Sequence, residues 1–165
     1  MPCIVLIGPM GAGKTTLGKK LAKALSLPFS DTDRIVESVH GSITRIFETL
    51  GEEKFRDYEE QALAQALDGG GVIATGGGMV LREANRNALR GHTVVFLDTN
   101  ADSVLKRVNL VKRPLLKNNP EKWNDIYESR LPLYRELGHL TVFTGNRPIK
   151  AILEELTDKV NQHGK

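Results

Sequence analysis

Eight residues near the start of the chain, Gly8-Pro9-Met10-Gly11-Ala12-Gly13-Lys14-Thr15, match the pattern G-x-x-x-x-G-K-[ST] in full. Glycines at this spacing let a backbone curl until successive N–H groups point at phosphate oxygens, and a helix N-terminus behind them adds positive potential. In such a loop Lys14 reaches the β- and γ-phosphates of a nucleotide, and Thr15 offers its hydroxyl to Mg²⁺. The chemistry implied is handling of a nucleoside triphosphate, with Gly11, Ala12, Gly13, Lys14, Thr15 and Thr16 as candidate nucleotide contacts. An acidic residue must hold the metal's water shell, and Asp98, directly after Val94-Val95-Phe96-Leu97, is the choice that pattern alone makes.

A phosphate-binding loop works only between a strand and a helix, and both flanks are present. The apolar run Cys3-Ile4-Val5-Leu6-Ile7 leads in, and Leu17, Leu21 and Leu25 recur at a spacing of four behind it. Short apolar runs then alternate with segments of helical period, the signature of β-α units and a parallel sheet. Five strands are expected, at 3–7, 29–31, 72–74, 93–97 and 140–143. Helices fill the intervals, including 14–24, 52–67 and one that follows Pro148. The predicted fold is a three-layer α/β/α arrangement with a five-stranded parallel sheet, that of a P-loop NTPase. The stretch 109–119 has no clean period and mixes basic and apolar residues around Pro114, which suits a mobile lid beside a nucleotide site.

With 165 residues the chain has length for one domain, 1–165. Its charge is only +3, mixed along the chain, and aromatic residues make up 5%. That argues against a nucleic-acid partner, leaving the arginines for phosphates and carboxylates. No apolar run approaches the roughly 20 residues of a membrane span, and the N-terminal run is too short for a signal peptide, so a cytoplasmic location is expected, with a monomer as the default. Cys3 is the only cysteine, which leaves no disulfide or paired-cysteine zinc site within one chain.

Further along stand Asp31-Thr32-Asp33, then Gly51-Glu52 with Phe55-Arg56 and Glu59, then Thr75-Gly76-Gly77-Gly78, then Arg113-Pro114-Leu115 and Tyr134-Arg135. In that order and spacing the chain resembles the shikimate kinase family over essentially its whole length, a set far more specific than the phosphate loop. The resemblance implies a nucleoside monophosphate kinase-like fold with a lid. It also implies transfer of the γ-phosphate of ATP, with Mg²⁺, to the 3-hydroxyl of shikimate in the pathway to chorismate and the aromatic amino acids.

By the same resemblance Asp31 organises Mg²⁺ through water, in competition with Asp98, and Asp33 binds a ring hydroxyl and serves catalysis. A carboxylate there could accept the proton of the attacking hydroxyl. Asp33 also stands where a helix N-cap would. Arg56 and Arg135 are matched to the arginines that grip the substrate carboxylate, a task suited to guanidinium's planar fork. Without a ligand, Arg56 and Glu59 would read as a weak surface ion pair and Arg135 as an exposed helix-end cation. Gly76, Gly77 and Gly78 follow a strand, where parallel sheets place ligands, unlike the run Gly69 to Gly71, which precedes one. Thr75 is matched to a hydroxyl near the metal and phosphates. Arg113 resembles a lid arginine that meets the transferring phosphoryl group, and Arg107 and Arg147 fall at the family's adenine pocket. The nearest alternatives are another small P-loop kinase, such as gluconate kinase, and a GTP-dependent switch. The acceptor residues argue against the first, and the lack of an N-K-x-D motif argues against the second.

Overall fold

The computed structural model describes residues 2–107 and 121–164, with only the backbone of Lys106 and Arg107. The segment 109–119, with Arg113, and the Arg107 side chain therefore lie outside the described residues. Five parallel strands form one sheet in the order β2-β3-β1-β4-β5. They are β1 (Ile4–Ile7), β2 (Phe29–Asp31), β3 (Val72–Ala74), β4 (Thr93–Asp98) and β5 (Leu140–Phe143). The helices are α1 (Lys14–Leu25), α2 (Thr32–His40), α3 (Ile43–Leu50), α4 (Glu52–Gly69), α5 (Glu83–Leu89), α6 (Ala101–Arg107), α7 (Glu121–Leu137) and α8 (Ile149–His163), with a 3₁₀ turn at Met79–Leu81.

Alternation along the strands feeds two cores. Val5 and Ile7 of β1 with Val94 and Phe96 of β4 pack on one face against Leu63 and Ala66 of α4, Leu89 of α5 and Tyr134 of α7. Leu6, Val95 and Leu97 point to the other face, where Leu17 and Leu21 of α1 and Ile152, Leu156 and Val160 of α8 cover them. The spacing-of-four stripe expected on α1 is therefore its sheet-facing side. A smaller cluster of Val36, Ile46, Phe55 and Ala62 ties α2, α3 and α4 together beyond the β2 edge. No helix among the described residues is long and apolar enough to cross a membrane.

Element boundaries differ from the expected ones by a residue or two. β4 extends to Asp98, and α4 continues to Gly69. Pro132 sits inside α7 without ending it. Buried Arg130 and Tyr134 on either side anchor the helix there, so packing outweighs the backbone hydrogen bond that proline removes.

Candidate functional site

The chain turns sharply out of β1 at Gly8, whose φ of 145° few side chains tolerate, and a Cβ there would land on the Leu97 carbonyl. Only glycine lets the loop cross so close to β4. Gly13 caps α1 in the left-handed region at φ 91°, which leaves the first amides of α1 aimed into the space above the sheet. Lys14 folds back over the loop, its Nζ donating to the carbonyls of Gly8 and Pro9 at 2.6 and 2.9 Å. Gly11, Gly13, Lys14, Thr15 and Thr16 line a cavity of about 780 Å³, while Ala12 lies buried beneath it.

Directly across from the loop, Thr15 Oγ1 donates to Asp31 Oδ2 at 2.6 Å. The other oxygen, Oδ1, accepts the backbone N–H groups of Asp33 at 2.9 Å and Arg34 at 3.3 Å. Asp31, at the end of β2, is thus the N-cap of α2, and the reading of Asp33 as the cap is corrected. Asp33 lies in the first turn of the helix, its carboxylate free of capping duty and facing the cavity. Burial, then the charges of Asp31 and Glu59, push its pKa up to about 6 against the opposing pull of Lys14.

Asp98, the pattern-based rival for the metal, is otherwise engaged. Its Oδ1 accepts the Tyr127 hydroxyl at 2.7 Å and the Thr99 amide at 2.9 Å, and it does not line the cavity. Thr75 does line it, with its hydroxyl donated to Leu6 O at 2.8 Å.

The acceptor end of the cavity is made by α4, the glycine strip and α7. Arg56 is 7% exposed and Glu59 1%, joined at 2.9 Å, so the expected weak surface pair is in fact a buried one. Losing one partner of such a pair strands a buried charge, a cost of about 3–5 kcal/mol. Glu59 Oε2 has no partner among the described residues and lies beside Gly76, and burial raises this carboxyl's pKa against the lowering effect of Arg56. The three glycines make room for these groups. A Cβ on Gly76 would come within 2.9 Å of Asp33 Oδ1, and one on Gly78 within 2.5 Å of both terminal nitrogens of Arg56.

From α7 comes an arginine that sequence reasoning missed. Arg130 is buried, lines the cavity and lies over Gly77, whereas Arg135 is exposed and outside the lining. The resemblance had matched Arg135 to the second carboxylate-gripping arginine, but the arginine that α7 brings into the cavity is Arg130. Helical periodicity held the signal: Trp123, Tyr127, Arg130 and Tyr134 fall at spacings of four, three and four, one face of a helix, and Arg135 is about 100° off it. Tyr134 fastens the strip by donating its hydroxyl to Gly77 O at 2.6 Å, and burial, its leading cause, pushes its pKa up to about 12. Arg147 lies outside the cavity lining, bound to Phe143 O at 2.7 Å and Glu155 at 2.9 Å.

One cavity thus joins a phosphate loop to a pocket with two buried arginines, an aspartate and bare glycine backbone. A family model for shikimate kinase matches residues 10–161. A shikimate kinase of Pseudomonas fluorescens (strain Pf0-1) is 45% identical over 96% of both chains, and one of Rhodococcus jostii (strain RHA1) is 38% identical over 96% of this chain and 98% of that one. Among solved structures, the shikimate kinase from Acinetobacter baumannii in complex with shikimate superposes with a TM-score of 0.92 at 37% identity, over 99% of this chain and 94% of that one. Matching across nearly the full length, in sequence and in backbone, places the chain in the shikimate kinase family.

Proposed function

We propose that the chain transfers the γ-phosphate of ATP to the 3-hydroxyl of shikimate. The observation that carries this is the single cavity with Lys14 and Thr15 at one end and Asp33, Arg56 and Arg130 at the other. Shikimate's one carboxylate and several hydroxyls suit two guanidinium groups, an aspartate and backbone glycines. A nucleotide acceptor would instead ask for a base pocket.

In this reading Arg56, beside Gly78, and Arg130, beside Gly77, hold the carboxylate, and Glu59 keeps Arg56 pointed at it. Gly76 to Gly78 let the ring lie against the backbone. Asp33 orients the attacking hydroxyl. A carboxylate with a pKa of about 6 is ionised at neutral pH yet basic enough to take up the proton as the phosphoryl group leaves. The loop amides and Lys14 balance charge on the transferring group.

The Thr15 hydroxyl and Asp31 carboxylate, 2.6 Å apart at the cavity wall, are hard oxygen donors that fit Mg²⁺. Among the described residues no group of three or more His, Cys, Asp or Glu could cage a metal, which agrees with an ion that takes its other ligands from water and phosphate. When bound, Mg²⁺ would neutralise charge between the β- and γ-phosphates. Thr15 and Asp31 would hold its shell, and Asp31 would do so without leaving its cap on α2.

The test is shikimate-dependent ADP release, with the product identified by phosphorus NMR and GTP as the comparison donor. ATP-dependent formation of a shikimate phosphate ester is expected. Selective GTP hydrolysis without any phosphorylated shikimate would overturn the proposal.

A further inference from the structure

The donor and acceptor halves of the cavity meet at Met10. A Cβ on Gly77 would sit 3.5 Å from both the Met10 amide nitrogen and its Cγ, so the phosphate loop abuts the glycine strip here. The Met10 carbonyl accepts the indole N–H of Trp123 at 2.8 Å. Trp123 is 2% exposed, packs against Val104 of α6 and stacks on Tyr127 with ring centroids 5.0 Å apart and planes 10° from parallel. Tyr127 is itself fixed to Asp98 at the end of β4. About three turns further along the same helix, Tyr134 holds Gly77 O, with Arg130 between the two attachments. One helix therefore grips a backbone carbonyl of the donor loop at its start and one of the acceptor strip near its end.

We infer that Trp123 is a positioning residue that couples nucleotide occupancy of the phosphate loop to shikimate binding on the glycine strip. The inference rests on the ATP and shikimate reading above. Its physical basis lies in Lys14, which donates to the Gly8 and Pro9 carbonyls immediately before Met10. A bound phosphate chain draws Lys14 toward its own oxygens, and the Pro9–Met10 segment must adjust as those carbonyls lose a donor. A buried indole N–H follows its acceptor rather than stand unpaired. The adjustment passes into α7, and with it to Arg130 and to the Gly77 carbonyl that Tyr134 holds.

Trp123 is the only tryptophan in the chain, so intrinsic fluorescence reads this contact directly. ADP alone should shift the emission of the wild-type protein. Calorimetry should show shikimate binding more tightly with ADP than without it. Trp123→Phe keeps an aromatic ring on Tyr127 but has no N–H. It should lower that ADP-dependent ratio of dissociation constants at least about threefold toward one, while keeping a cooperative melting transition. Should Trp123→Phe not fold, Tyr134→Phe cuts the other attachment and should lower the ratio in the same direction. Unchanged emission at ADP concentrations that saturate by calorimetry, a wild-type ratio of one, or a folded variant with the wild-type ratio would each overturn the inference. Failure of the proposed function has a different signature, the absence of phosphorylated shikimate from the wild-type protein itself.

Discussion

Adding a single methyl group at Gly78 should cripple acceptor binding through Arg56 rather than through the backbone. Gly78 has φ −96° and ψ 8°, a conformation open to alanine, so the substitution brings little backbone strain. The methyl would lie 2.5 Å from both terminal nitrogens of Arg56 and 2.6 Å from its central carbon. Ordinary contact is about 3.5 Å, so the guanidinium must retreat by about 1 Å. It cannot do so freely, because Nη1 is bound to Glu59 at 2.9 Å and Nε to Glu52 at 3.4 Å. The expected loss is that of a charge-assisted hydrogen bond to the shikimate carboxylate, about 1.5–3 kcal/mol. That is a rise of roughly 10- to 150-fold in the KM for shikimate, with a smaller change in turnover at saturation. Initial rates of ADP release against shikimate concentration measure it. Arg56→Ala supplies the control, since it removes the three atoms that the methyl approaches most closely. The Gly78→Ala effect should then shrink to within about twofold, a coupling that a double-mutant cycle exposes. Independent, additive effects of the two substitutions, or an unchanged KM in folded Gly78→Ala, would refute the reasoning.

Three further outcomes are expected. The folded-state pKa of Asp33, about 6, lies above the roughly 3.9 of an unfolded chain, so its ionisation costs the fold stability as pH rises through that window. Asp33→Asn should therefore raise the melting midpoint at pH 7.5 more than at pH 4 while abolishing transfer, and wild-type kcat/KM should fall below about pH 6; equal midpoint shifts at both pH values would contradict this. Asp31→Asn should raise the Mg²⁺ concentration needed for half-maximal rate while Asp98→Asn leaves it unchanged, and the reverse order in a magnesium titration would return the metal's carboxylate to Asp98. Arg130→Ala should raise the KM for shikimate by about tenfold or more, whereas Arg135→Ala should stay within about twofold, as steady-state kinetics on the two variants would show.

Local sequence determined what depends on local sequence. The loop from Gly8 to Thr15 could be recognised because its backbone conformation and its phosphate chemistry both demand particular residues at adjacent positions. The strands at 72–74 and 140–143 could be placed because short, largely apolar runs between turn residues have few other uses in a chain this short. The second glycine triplet could be put on the binding side of the sheet because it follows a strand's carboxyl end, whereas Asp33 and Arg56 were legible only through the family resemblance. Only the tertiary structure decided how those groups divide their work. Which of Asp31 and Asp33 caps α2 depends on where β2 ends and which carboxylate Thr15 reaches across the loop. Whether Arg56 and Glu59 form a surface pair or a buried one depends on Gly76 and Gly78 closing over them from the loop after β3. Asp98 stays out of the cavity that Asp31 lines, its Oδ1 engaged by the hydroxyl of Tyr127, which is distant in sequence. Arg130 rather than Arg135 enters the pocket because Trp123 and Tyr134 are buried, Tyr127 partly so, and together they set the rotation of α7. A residue's type and spacing limit what it can do, but the direction in which a side chain points is set by packing of segments far apart in the chain.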